Sequence, residues 1–148
     1  MSFDVLYCLH PPEEKAAVAE MHRVLRSGGW LIVNVAAMKM LTGDHSILGG
    51  EVHRYGREEL RATLRTAGFE VVRITYTNAF LLPLTAAVRF AQRLRGVKKG
   101  GENEGDLHVP PAPLNSLLAG VLAVESAVVG AGIDMPAGSS LLCLARKR

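Results

Sequence analysis

Four side chains able to move protons or pair with anions crowd one short stretch: His45, His53, Arg54 and Tyr55. A histidine titrates near neutrality and can take a proton from a nucleophile as a new bond forms. His45 is the candidate for that catalytic role, with Tyr55 positioning the reacting group. Arg54 offers a planar fork of donors suited to an anionic substrate, and His53 adds a polar contact beside it. The same residues have a plainer reading, a surface loop pinned by an Arg–Glu pair and a packed tyrosine. Metal binding by His45, Glu51 and His53 is a third reading, but their spacing matches no standard ligand motif and no metal site is assigned. His10 is a separate candidate. It closes an apolar run that also holds Cys8 and Leu9. If that run is a strand, all three stand where ligands of open α/β sheets bind.

The elements that would position these residues can be read from the apolar pattern. The run from Phe3 to Leu9 predicts a strand buried on both faces, ended by Pro11 and Pro12. Residues 13–25 predict a helix, because Ala17, Val18, Met21, Val24 and Leu25 recur at three- and four-residue spacings. Gly28 and Gly29 stop it. Residues 30–36 predict a second strand buried on both faces, and the βαβ connection makes the two strands parallel. Residues 38–56 form a long irregular loop, which holds the first four candidates. A helix over 57–67 and a strand over 69–78 follow, with Val72, Ile74 and Tyr76 on one face of the strand. A helix over 82–94 should turn Leu84, Val88, Ala91 and Leu94 inward and Arg89 and Arg93 outward. Residues 96–111 are polar and glycine-rich, which predicts a flexible linker. A helix over 113–129 is apolar almost all round, and a last strand spans 139–146. Gly130, Ala131 and Gly132 stop the preceding helix better than they cradle a cofactor, since no helix follows them.

Composition narrows the function. The chain has 148 residues, 49% of them hydrophobic, and a net charge of +3. That is one domain with ample core. Aromatic residues make up 5%, and the cations are dispersed apart from a cluster between Arg89 and Lys99. Nucleic-acid binding is therefore not expected. The two cysteines, Cys8 and Cys143, sit in apolar runs and predict buried thiols. No basic segment leads into an apolar core near Met1, so the cytoplasm is the expected location. The helix over 113–129 has three readings: a span of a membrane, a helix packed on the sheet or on the preceding helix, and a lid that touches a lipid surface. Packing on the protein is the preferred one, since Glu125 is costly in a bilayer.

The order of these elements, and several phrases within them, resembles the second half of class I S-adenosylmethionine-dependent methyltransferases. Phe3-Asp4-Val5-Leu6 is similar to the family's fourth strand. The stretch from Glu20 to Gly29 is similar to the helix and turn before its fifth, and Leu31-Ile32-Val33-Asn34-Val35 to the fifth itself. His45, Gly50, Arg54, Tyr55, Glu59-Leu60 and Ala67-Gly68-Phe69 resemble a narrower, type 11/12-like pattern. Asn78, Pro83, Arg89, Pro110-Pro111, Asn115, Glu125, Pro136 and Ser140-Leu141-Leu142 continue it. Glu51 departs from the pattern, standing where a second histidine is usual. The loop over 10–14 is shorter than the family's. The first three strands, with their Gly-x-Gly turn and ribose-binding acid, have no counterpart in these residues.

The resemblance implies an α/β, partial Rossmann-like fold, with a four-stranded mixed sheet in the family order 4-5-7-6 and flanking helices. Residues 1–148 would be one C-terminal part of a methyltransferase domain, with 79–132 a helical insertion or lid. It also implies S-adenosylmethionine as cofactor, bordered by Cys8, Leu9 and His10, with weak or no binding by this chain alone. A small-molecule or lipophilic acceptor would meet His53, Arg54, Tyr76 and Asn78, with His45 and Tyr55 catalytic. Two other functions stay open, a non-catalytic binding or scaffold module and a lipid-surface protein with peripheral membrane contact. With no partner strand beside it, the edge from Phe3 to Leu9 is expected to self-associate.

Overall fold

A computed structural model describes residues 1–38, 51–94 and 111–148. Four strands form one mixed sheet in the order β1-β2-β4-β3. They are β1 (Ser2–Phe3), β2 (Trp30–Ala36), β3 (Phe69–Thr77) and β4 (Ser140–Lys147). β1 runs parallel to β2, with Ser2 opposite Val33. β4 is antiparallel to both neighbours, pairing along β2 from Arg146 opposite Trp30 to Ser140 opposite Ala36, and along β3 from Lys147 opposite Phe69 to Ser140 opposite Thr77. This α/β arrangement has the strand order and directions that the resemblance implies.

One face of the sheet carries the core. Leu31, Val33 and Val35 of β2 alternate with half-buried or exposed neighbours, as do Leu141, Cys143 and Ala145 of β4. They pack with Leu6, Val18, Leu60, Leu64 and Tyr55. Val18 lies on helix α1 (Pro11–Val24), and Leu60 and Leu64 lie on helix α2 (Arg57–Thr66). The continuous apolar run of β2 therefore does not mean burial on both faces. Ile32 on the opposite face is only half-buried and Trp30 is exposed. α1 begins two residues before the expected start because proline is tolerated in a first helical turn, where its missing N–H has no partner to lose. Its far end is held by the Lys147 ammonium, which donates to the carbonyls of His22 at 2.7 Å and Leu25 at 2.8 Å. A cation suits the negative end of a helix.

Three expectations fail for local reasons. The strand expected over residues 3–9 ends at Phe3. Asp4 takes a left-handed φ of 57°, and Leu6–Cys8 form a 3₁₀ turn instead. The edge that was expected to be long and flat is two residues long. In β3 a bulge between Val71 and Arg73 resets the alternation, so Val72 is exposed while Ile74 and Thr75 are buried. Helix α3 (Leu82–Leu94) does not turn Leu84 and Val88 inward; both are exposed.

Helix α4 (Ala112–Gly130) is largely exposed, and Glu125, which accepts the Phe80 N–H just ahead of α3, is its sole buried residue. Its C-terminal end is anchored by Arg73, whose guanidinium donates to the carbonyls of Val129 at 2.9 Å and Ile133 at 3.0 Å and to Asp134 at 2.7 Å. Ala131 caps the helix and Gly132 follows with a φ of 92°, so these glycines serve as a helix stop. The linker expected over 96–111 lies, but for Pro111, outside the described residues.

Gly138 gives a direct test of the strand entry. A Cβ there would collide with the Thr77 carbonyl oxygen. Gly138→Ala should cost roughly 1–3 kcal/mol by urea unfolding. Gly120, in the middle of α4, faces open space. Gly120→Ala should raise stability by up to about 1 kcal/mol through helix propensity.

Candidate functional site

The candidate site lies at the C-terminal ends of the two parallel strands, and it is built by stitching two loops together. Asp4 leaves β1 by donating its N–H to the Asn34 carbonyl at 3.1 Å, while its carboxylate accepts from Asn34 Nδ2 at 3.1 Å. A short polar side chain that bonds locally tolerates the left-handed conformation adopted there. The 3₁₀ turn then buries Leu6 fully and presents the Tyr7 carbonyl to the second loop. That oxygen accepts from the N–H groups of Val52 at 2.9 Å and His53 at 3.2 Å. Tyr55 donates its N–H to the Ala36 carbonyl at 2.9 Å, which extends the line of β2.

Arg54 is held from three directions. Its Nη1 donates to the Ala37 carbonyl at 2.9 Å, and Glu51 takes Nε at 3.2 Å and Nη2 at 3.0 Å. The two side chains are 12% and 6% exposed. Glu51, the departure from the family pattern, thus compensates the Arg54 charge in a nearly closed environment. They stand three positions apart, and the pair agrees with the plainer reading of a loop pinned by an Arg–Glu pair. The guanidinium is engaged with the protein itself rather than offered to a substrate.

Tyr55 is 1% exposed and belongs to the core. Its hydroxyl is enclosed without a hydrogen-bond partner, although it faces the buried Glu14 carboxylate. The two groups influence each other electrostatically but miss bonding geometry. Burial first, and Glu14 second, push the phenol far above its ordinary range. The ring of His53 leans on that of Tyr55, with centroids 4.3 Å apart and planes at 51°. His45 and Gly50 lie outside the described residues.

The candidates for the cofactor side are close by. Cys8 is half-buried, and its thiol is pushed up by burial and by the negative charges of Glu51 and Asp4. That keeps it protonated and a weak nucleophile. Leu9 packs against the core, and His10 is exposed at the N-terminus of α1, where its N–H donates to Glu13 at 3.2 Å. Among the described residues no glycine turn follows β1 or β2. Tyr76 and Asn78 reach the same sheet edge from β3. Tyr76 lies beneath the Arg57 guanidinium, 5.1 Å from its ring centroid. Asn78, with a φ of 57°, donates to Ser140 Oγ at 3.4 Å. Tyr7 and Arg57 are additions that sequence reasoning missed, because Tyr7 falls within the run read as a strand and Arg57 only opens a helix in that reading. Arg57 donates to the Met135 carbonyl at 3.1 Å and buries its Nε without a partner. A groove of about 470 Å³ lies elsewhere, between α1 and α2, and is lined by Glu14, Lys15, Val18, Ala62 and Thr66.

No protein-family model and no curated protein matches the sequence. Among solved structures the chain is similar to the [4+2]-cyclase SpnF, at 23% identity and a TM-score of 0.49, over 99% of this chain and 47% of that one. It is similar to phosphoethanolamine N-methyltransferase 2 of Haemonchus contortus, solved with S-adenosyl-L-methionine, at 12% identity and a TM-score of 0.49, over 98% of this chain and 32% of that one. A third likeness is to StiE O-MT, at 15% identity and a TM-score of 0.45, over 99% of this chain and 42% of that one. The chain spans less than half the length of each.

Two measurements probe this edge and the core below it. Tyr55→Phe removes a hydroxyl that makes no bond, so stability should stay within about 1 kcal/mol of the parent or rise. A loss well above that would show the hydroxyl to be bonded. Cys143 is fully buried, and burial pushes its thiol from 9.0 to about 12. The folded state therefore favours the protonated thiol. That contribution is complete below about pH 9 and is lost as the pH rises from there toward 12. Urea melts of Cys143→Ala should lose less stability across this window than those of the parent.

Proposed function

We propose that this chain forms the acceptor-side part of an S-adenosylmethionine-dependent methyltransferase acting on a small-molecule or lipid-like acceptor. The observation that supports it most is the sheet order β1-β2-β4-β3, with β4 antiparallel to both neighbours. It agrees with the 4-5-7-6 part of the fold that the sequence resembles. Loops at the C-terminal ends of parallel strands are where such sheets bind ligands.

The described residues fit only part of a cofactor site. Cys8, Leu9 and His10 offer one wall. The Tyr7 carbonyl is used within the protein, and among the described residues no glycine turn opens a space for a nucleotide. When bound, the cofactor supplies a methyl group on a sulfonium, whose displacement depends chiefly on how the two reactants are positioned. In an intact protein carrying this chain, His45 would take the acceptor's proton. His53, Tyr76 and Asn78 would line the acceptor side, and the Glu51–Arg54 pair would hold the loop that carries His53.

A second reading is a non-catalytic binding or scaffold module. It is favoured by the engagement of Arg54 with Glu51 and the enclosure of Tyr55, which leave little free chemistry at the described edge. Calorimetry and turnover separate the two. This chain alone should bind S-adenosylmethionine with a dissociation constant weaker than roughly 10 micromolar, about −7 kcal/mol. In an intact protein that pairs the chain with a glycine-rich segment, methyl transfer should be measurable. There His45→Ala should lower kcat by about a hundredfold without changing cofactor affinity. Absence of transfer by that protein would favour the scaffold.

A further inference from the structure

The two helices after β3 present an apolar surface that the fold does not use. Phe80 and, on α3, Leu84, Val88 and Phe90 are exposed, Phe90 by 64%. On α4, Leu114, Leu117, Leu122 and Val124 are exposed, Leu117 by 64% and Val124 by 58%. Scattered apolar residues on a surface need no explanation, but two successive helices of them do.

Charge on these helices is distributed in one sense. α3 contains Arg89 and Arg93 and no acid. α4 contains a single ionisable residue, Glu125, which is 3% exposed. Its Oε2 accepts the Phe80 N–H at 2.9 Å. That acidic side chain is thereby withdrawn from the surface, and the sequence of α3 and α4 otherwise supplies only the two arginines as charge. α4 also lacks a charged flank. The side away from its leucines and valines carries Ala119, Gly120, Ala123 and Ala127 together with Asn115, Ser116 and Ser126, all exposed and none charged.

Geometry limits how such a helix can meet a bilayer. By length and composition α4 could cross a membrane. Its last turn, however, is tied to the body by Arg73 and its Glu125 by Phe80. The untethered part, 112–124, is on the order of 20 Å long at 1.5 Å per residue. That is shorter than the hydrocarbon core of about 30 Å but deep enough for one leaflet. We propose that the exposed apolar residues of α3 and α4 dock on an anionic lipid bilayer, with the N-terminal part of α4 entering one leaflet and α3, whose only charged residues are arginines, at the headgroups. Docking of this kind combines apolar burial with attraction to negative lipids. It does not depend on the methyl-transfer reading. If that reading also holds, the acceptor would be taken from the membrane.

Vesicle flotation with this chain decides the matter. The chain should float with phosphatidylcholine vesicles containing about one third phosphatidylglycerol and float less with phosphatidylcholine alone. Raising the salt should weaken the anionic component. Leu117→Asp combined with Val124→Asp should cut partitioning by roughly tenfold or more. Both positions are exposed, so circular dichroism and melting temperature should be unchanged. Val72→Asp, exposed on β3, should leave flotation intact. A second readout avoids reliance on the aspartate variant: a Leu117→Trp chain should have its fluorescence quenched by brominated acyl chains. The proposal is overturned if the chain fails to float with either vesicle. It is equally overturned if the folded double variant floats like the parent, or if the parent is a dimer that the double variant dissolves into monomers without any lipid binding.

Discussion

Two of the three ladders of the sheet, the two long ones, run through β4. Its register places Ser140 between Ala36 of β2 and Thr77 of β3, and near the other end pairs Arg146 with Trp30 and Glu70. Its inward residues Leu141, Cys143 and Ala145 are all completely buried. β2 and β3 have no ladder with each other, so the chain cannot form its core until its final segment is in place. Lys147 extends the same dependence to α1, closing that helix with two hydrogen bonds from the end of the last strand. A central strand from the far end of the sequence makes the fold's key contacts non-local, which costs loop-closure entropy before it yields stability.

The candidate edge depends on this frame. Ala37 donates to the Ser139 carbonyl at 2.9 Å, so the exit from β2 is fixed by the entry to β4. From there the Tyr7 carbonyl, the Arg54 guanidinium and the Tyr55 N–H tie the two loops to each other and to β2. The polar residues that stand out by type are therefore not equivalent. Arg54 and Glu51 neutralise one another, Tyr55 fills the core, and His53 and Tyr76 remain partly open. An arginine that is paired and nearly enclosed holds a loop more effectively than it recruits an anion, because breaking a buried pair leaves an uncompensated charge.

The helical layer follows a different rule. Arg73 spends its whole guanidinium on the end of α4 and the turn beyond it, and Glu125 closes on the Phe80 amide. These contacts hold the helix by its C-terminal part and leave its large apolar residues uncovered. Stability of the sheet and exposure of the helices are thus separate properties of the same chain. The first comes from alternating burial on β2 and β4, the second from the fact that no described element lies over α3 and α4.

The order of the elements, and the type of all but the first, were legible from the residues alone. Apolar runs bounded by proline and glycine marked β2 and β4, three- and four-residue spacing marked α1 and α2, and the parallel pairing of the first two strands followed from their helical connection. The departures came where a pattern names a face but not its neighbour. Spacing placed Leu84 and Val88 together on α3, yet it carried no information on whether another element would cover them. The run after Phe3 read as a strand because its apolar content was high, whereas a left-handed Asp4 bonded to Asn34, thirty residues away, turns it into a 3₁₀ bend. Tyr55 was legible as a polar-tipped residue in a loop. Only the packing of that loop against α1 and α2 decided that its hydroxyl would be buried beside Glu14. Local sequence sets which conformations are inexpensive, and contacts between distant segments choose among them. That is why the sequence by itself determined the elements and their order, while the tertiary structure decided which side chains are exposed, paired or enclosed.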